Sequence, residues 1–165
     1  MDFGFDLTLG LWHLTLAVNM ADKDDILKNL PHTFPFRMID RILEIEPGKR
    51  AVALKNVSID EPYLQGHFPK EPVMPSILIL EALAQTGGIA FHSSFEKEEE
   101  TIPFLAAVDR FRLNKRVVPG DQIIMEAEIQ HIFSNLAKVE VRARVGEEIV
   151  AEGVLVLAKG PLNLK

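Results

Sequence analysis

From Asp121 onward apolar and polar residues alternate along the chain. Ile123, Met125, Ala127 and Ile129 are interleaved with Ile124, Glu126, Glu128 and Gln130, and Ala137, Val139, Val141, Ala143 and Val145 with Lys138, Glu140, Arg142 and Arg144. A two-residue period of this kind predicts antiparallel strands with one face on a core and the other in water. Strands are expected near 103–113, 121–132, 136–146 and 148–158, separated by turns at Pro119-Gly120-Asp121 and Gly146-Glu147. Nearer the N-terminus, Met38 to Ile45 and Arg50 to Ser58 read as a hairpin about Pro47-Gly48.

Between these groups the period changes. Ile77, Leu78, Ile79, Leu80, Ala82, Leu83 and Ala84 cover every side of a helix from Pro75 to about His92, which predicts a helix buried all round. Proline is tolerated in its first turn. Residues 59–74, with Pro62, Pro69 and Pro72, read as a loop. Asp22 to Asn29 can form a short helix, its acidic residues early as the macrodipole prefers, before Leu30-Pro31-His32 and Phe34-Pro35-Phe36 break the pattern. Two strands, one buried helix and four more strands make an α+β chain. A curved antiparallel sheet of about six strands wrapped around one long helix, the hot-dog architecture, satisfies that order.

At 165 residues, 47% hydrophobic and 25% charged, the chain fits one domain with one core. A net charge of −6 argues against nucleic acid as a partner of the whole surface. The absence of cysteine excludes disulfides, thiolate zinc sites and cysteine nucleophiles, and suits a reducing, cytoplasmic setting. Leu7 to Val18 is mostly apolar but too short to span a bilayer as a helix, and Asp2 and Asp6 stand where a secretory signal carries basic residues. No membrane association is therefore expected. Residues 1–21 are set apart as an extension, with Met20 reading as the natural start, and 22–165 as one domain. The charge run Glu96 to Glu100 reads as a solvated loop.

Candidate chemistry concentrates in residues 66–85. His67 lies in the proline-braced loop, and Glu81 is a lone carboxylate in the apolar helix. Imidazole titrates near neutral pH and suits proton abstraction. A carboxylate in apolar surroundings has its pKa raised and suits proton donation. Gln85, one helical turn on, is a candidate hydrogen-bond partner for Glu81. His32 reads as structural, and His13, His92 and His131 have no ligand spacing. No metal, nucleotide or flavin motif occurs, so no cofactor is expected. Arg110, Arg112, Lys115 and Arg116 form the densest basic patch, which a solvated strand edge explains equally well by pattern alone.

Several segments together resemble a known family. Leu30-Pro31-His32, Phe34-Pro35-Phe36, Asp40-Arg41, Gly66-His67-Phe68-Pro69, Pro72-Val73-Met74-Pro75, Glu81-Ala82, Ala84-Gln85 and Arg116-Val117-Val118-Pro119-Gly120-Asp121 are similar, in order and spacing, to the FabZ-type (3R)-hydroxyacyl-acyl-carrier-protein dehydratases. The resemblance covers roughly residues 23–159 and implies a hydro-lyase of type II fatty acid elongation that makes trans-2-enoyl chains. It implies His67 as base, Glu81 as acid, the Ser76 backbone amide as donor to the thioester oxygen, and Phe68, Pro69, Gln85 and His32 in support. Related dehydratase/isomerases carry aspartate at the Glu81 position, so the non-isomerising branch is implied. The family's His and Glu come from opposite subunits, which implies a homodimer with shared sites, with a trimer of dimers as the larger assembly. Gly87 and Gly88 would then allow close approach at the interface. Acyl carrier protein is the implied partner, with Arg110, Arg112, Lys115 and Arg116 steering its docking; the phosphopantetheine belongs to the substrate. Ser76 and Lys70 stand where the family usually has glycine. Those departures keep two alternatives open: a hot-dog thioesterase using the helix carboxylate, and a carrier-binding paralogue with weakened turnover.

Overall fold

The alternating segments close one face of a single sheet. In a computed structural model that describes residues 30–92 and 101–161, the strands are β1 (Arg41–Glu46), β2 (Arg50–Asn56), β3 (Thr101–Leu113), β4 (Gln122–Phe133), β5 (Leu136–Val145) and β6 (Glu148–Pro161). They form one six-stranded antiparallel sheet in the order β1-β2-β4-β5-β6-β3. Ile123, Met125 and Ala127 of β4 and Ala137, Val139, Val141 and Ala143 of β5 are buried, as their spacing predicts. Gly48, Gly120 and Gly146 turn the chain with positive φ. The helix expected over Asp22–Asn29, the extension 1–21 and the charge run at 96–100 lie outside the described residues.

Among the described residues one α-helix, α1 (Ser76–His92), lies across the sheet and touches β2 through β6. From Ala82 to Phe91 every residue is buried. Gly87 sets the closeness of the packing: a Cβ there would stand 3.1 Å from Leu157 Cδ1 and 3.3 Å from Val139 Cγ1. At Gly88 a Cβ would meet Pro103 Cγ at 3.2 Å. Both glycines therefore serve contacts inside the chain, where the sequence pattern suggested a subunit interface. The expectation of burial on all sides also fails at the first turn, since Ser76 is exposed and Ile77 is 65% exposed. Apolar composition alone does not show which turn of a helix the sheet leaves uncovered.

The crossover from β2 through α1 carries the chain to the far edge of the sheet, where β3 pairs only with β6. Two register shifts, between Leu105 and Ala107 and between Val108 and Arg110, bend this strand. Phe104, Leu105, Val108 and Leu113 are all substantially exposed on it. A strand of 13 residues with an open edge and apolar side chains is a template for pairing with another chain.

Candidate active site

The loop before α1 fixes the imidazole of His67. Its Nδ1 lies 3.0 Å from the carbonyl oxygen of Val73. A carbonyl only accepts, so Nδ1 carries the proton and the lone pair remains on Nε2. Phe68 follows at φ 51°, an uncommon conformation for a residue with a bulky side chain, and its ring centroid is 4.3 Å from that of His67. The Glu71 N–H donates to the Phe68 carbonyl at 2.9 Å, closing the turn through the exposed Pro69 and Lys70.

Glu81, in the first half of α1, lines a cavity of about 240 Å³ together with His32, Phe36, Ala84, Gln85, Gly88, Pro103 and Leu157, among others. Its side chain is 21% exposed. It therefore opens to this cavity and is not sealed in apolar surroundings as the helix pattern predicts. Gln85 is the partner its spacing suggested: Nε2 donates to Glu81 Oε1 at 2.9 Å and to the Phe36 carbonyl at 2.9 Å, while Oε1 accepts from the Met38 N–H at 2.9 Å. His32 brings Nε2 to 3.8 Å from Glu81 Oε1, with its ring against Phe36 and its Nδ1 buried without a partner. The histidine read from sequence as structural thus lies beside the carboxylate.

Ser76 begins α1. The carbonyl of Pro75 accepts from the N–H groups of Leu78 and Ile79, and among the described residues the N–H groups of Ser76 and Ile77 have no acceptor. Such a helix start suits negative charge on a ligand oxygen. His67 is not among the residues lining the Glu81 cavity.

A family model described as FabA-like domain matches residues 30–154, which include all of these groups. The chain belongs to the FabA-like domain family. It is 45% identical over 139 residues to a 3-hydroxyacyl-acyl-carrier-protein dehydratase FabZ of Clostridioides difficile, covering 84% of this chain and 97% of that one. With the protein of the same name from Caldanaerobacter subterraneus the identity is 48% over 134 residues, covering 81% and 94%. Within the FabA-like family the similarity therefore runs to its FabZ-type dehydratases. Among solved structures, the dehydratase heterocomplex ApeI:P of Xenorhabdus doucetiae shares the hot-dog fold, with a TM-score of 0.70 at 17% identity over 85% of this chain and 92% of that one.

Two of the four residues of the basic patch pair with carboxylates. Lys115 pairs with Glu148, and Arg116 pairs with Glu71 of the His67 loop. Arg110 and Arg112 line a separate groove of about 580 Å³ with Asp109, Glu140 and Glu152. Sequence reasoning missed the buried pairing of Lys55 with Asp40 and Glu61. The signal was there: Lys55 shares the inward parity of Ala51 and Ala53 on β2. No helix among the described residues is long and apolar enough to cross a membrane.

Proposed function

We propose that this chain is a hydro-lyase that removes water from (3R)-hydroxyacyl chains carried by acyl carrier protein, giving trans-2-enoyl chains. The observation that carries the reading is the Nδ1–H bond of His67 to Val73, which leaves the Nε2 lone pair free to act as a base. The names of the 43–48% identical relatives support the reaction class.

In this reading Nε2 of His67 removes the proton on C2, and electron density moves onto the thioester oxygen. The Ser76 amide stabilises that charge. The C2–C3 double bond forms as the C3–O bond breaks, with Glu81 giving its proton to the departing hydroxyl, so water leaves. Gln85 holds the carboxyl in place, and His32, Phe68 and Pro69 shape the approach. General base catalysis of this kind supplies about 10²–10⁴-fold.

The site is completed by a second copy, His67 of one chain meeting Glu81 of the other. The open apolar edge of β3 and the exposed Phe34, Phe36 and Phe68 support a homodimer, for which a trimer of dimers is the larger assembly. The acidic carrier docks through Arg110, Arg112, Lys115 and Arg116, and the absence of cysteine accords with a cytosolic setting. A spectroscopic hydration assay on a crotonyl-carrier thioester tests the reaction. Wild type should turn over, and His67→Ala and Glu81→Gln should not. Turnover that survives His67→Ala would favour a thioesterase-like use of the carboxylate instead.

A further inference from the structure

Among the described residues, Lys55 is the only charged residue that is almost fully buried, at 6% exposure. Its inward parity on β2 sends the ammonium into the protein, where Nζ lies 3.2 Å from Asp40 Oδ1 and 2.5 Å from Glu61 Oε1. Desolvating an ammonium is costly, and two carboxylates offset the cost. Stability alone is a poor reason to keep such a cluster, because apolar residues of similar volume often serve a buried site as well or better.

The connections made by its two partners suggest another reason. Asp40 is bound firmly to β2: its Oδ2 accepts from the Asn56 N–H at 2.7 Å, and its own N–H donates to the Leu54 carbonyl at 2.8 Å. It also follows the segment Phe36–Met38 that Gln85 clamps beside Glu81. Glu61 belongs to the other side. It heads the 3₁₀ turn Pro62–Leu64, its carbonyl accepts from the Leu64 N–H at 3.0 Å, and Leu64, buried, stands three residues before His67. The loop's far end is held by the Met74 N–H on the Val117 carbonyl at 2.8 Å. The Lys55–Glu61 pair is therefore the near mooring of the segment that carries the imidazole.

We infer that Lys55 is a positioning residue for His67: held between Asp40 and Glu61, it moors the His67 loop to the segment that Gln85 fixes beside Glu81. This rests on reading His67 as the base. The substitution Glu61→Gln keeps the Lys55–Asp40 pair and removes the ionic tie to the loop. Lys55→Met combined with Glu61→Gln removes ammonium and carboxylate together.

Both variants should stay folded by circular dichroism. Each should lose about tenfold or more in kcat for crotonyl-carrier hydration, with KM changed less than about twofold, as expected for a misplaced group that acts on the bound substrate. The ring-nitrogen resonances of His67, which in wild type report the Nδ1–H tautomer, should move toward a tautomer average. If kcat, KM and these resonances all stay at wild-type values in Glu61→Gln, the inference is overturned. Should the double variant fail to fold, Glu61→Gln decides alone by the same readouts. The resonances also decide the matter if wild type shows no turnover, an outcome that would instead overturn the dehydratase reading.

Discussion

Gln85 donates to Oε1 of Glu81 at 2.9 Å while its own carbonyl oxygen holds the Met38 N–H at the same distance. One buried amide thus orients the carboxylate and pins the chain segment leading into β1. Gln85→Leu keeps the volume but orphans the Met38 N–H and removes a donor from the Phe36 carbonyl. Each buried group left unpaired costs about 1–3 kcal/mol, so urea denaturation should register a loss of about 2–4 kcal/mol. Turnover should fall as well. Unchanged stability would mean that the segment 36–38 finds other partners.

The proposed shared site predicts that inactive chains complement each other. His67→Ala and Glu81→Gln homodimers should each be inactive, but subunit exchange between them should restore activity. In a random equal mixture half of the dimers are mixed, and each mixed dimer holds one intact site of two, so about a quarter of wild-type activity is expected. Val108→Lys, which puts a charge on the open edge of β3, should abolish both the recovery and the dimer seen by analytical ultracentrifugation. Recovery to no more than the sum of the separate variants would place both residues in one chain's own site.

Charge reversal tests carrier docking. Arg110→Glu combined with Arg112→Glu should raise KM for carrier-bound substrates by ~10-fold at low salt, less at high salt, and leave coenzyme A thioesters unaffected. Equal effects on both substrates would remove the docking role.

Tyr63 is the only tyrosine in the chain, so tyrosinate absorbance reports it alone. Burial of its hydroxyl, followed by the nearby carboxylates of Glu61 and Asp40, pushes its pKa well above the ordinary value of 10.0. The sign follows from which state keeps the proton: above pH 10 the unfolded chain releases it while the folded chain holds it. The stability is therefore intact below that pH and is lost as pH rises further. Native protein should show no tyrosinate band until it unfolds, and Tyr63→Phe should move the alkaline unfolding midpoint upward. A band that grows while the fold is intact would contradict the burial.

His67, Glu81 and Gln85 stand out in the sequence as candidates because each is a side-chain type out of place locally: a histidine among prolines, and polar groups in an apolar helix; the bond of Gln85 to Glu81 follows from their spacing. The strands β4 and β5 were legible because their two faces differ in solvent. The Lys55 cluster was legible only in part: inward parity marks Lys55 and Glu61 is six residues on, but Asp40 reaches them only once β1 and β2 pair. The sheet order was not legible. Thr101–Leu113 has no clean alternation, and its place at the far edge is set by the α1 crossover, a long-range property without a local signature. His32 fell between the two cases: its loop was readable, but its approach to Glu81 depends on how that loop folds over α1.

The bond from His67 to Val73 closes residues 67–73 into a ring of chain with the imidazole at one end. Such a ring aligns the imidazole with its own loop, and the moorings at Glu61 and Met74 place that loop against the rest of the protein. Lys70 sits midway round, exposed, at the point farthest from the closure. That is where a residue can be exchanged with least disturbance to the ring, and a lysine there can alter what the loop greets at the surface while leaving Nε2 of His67 where it was.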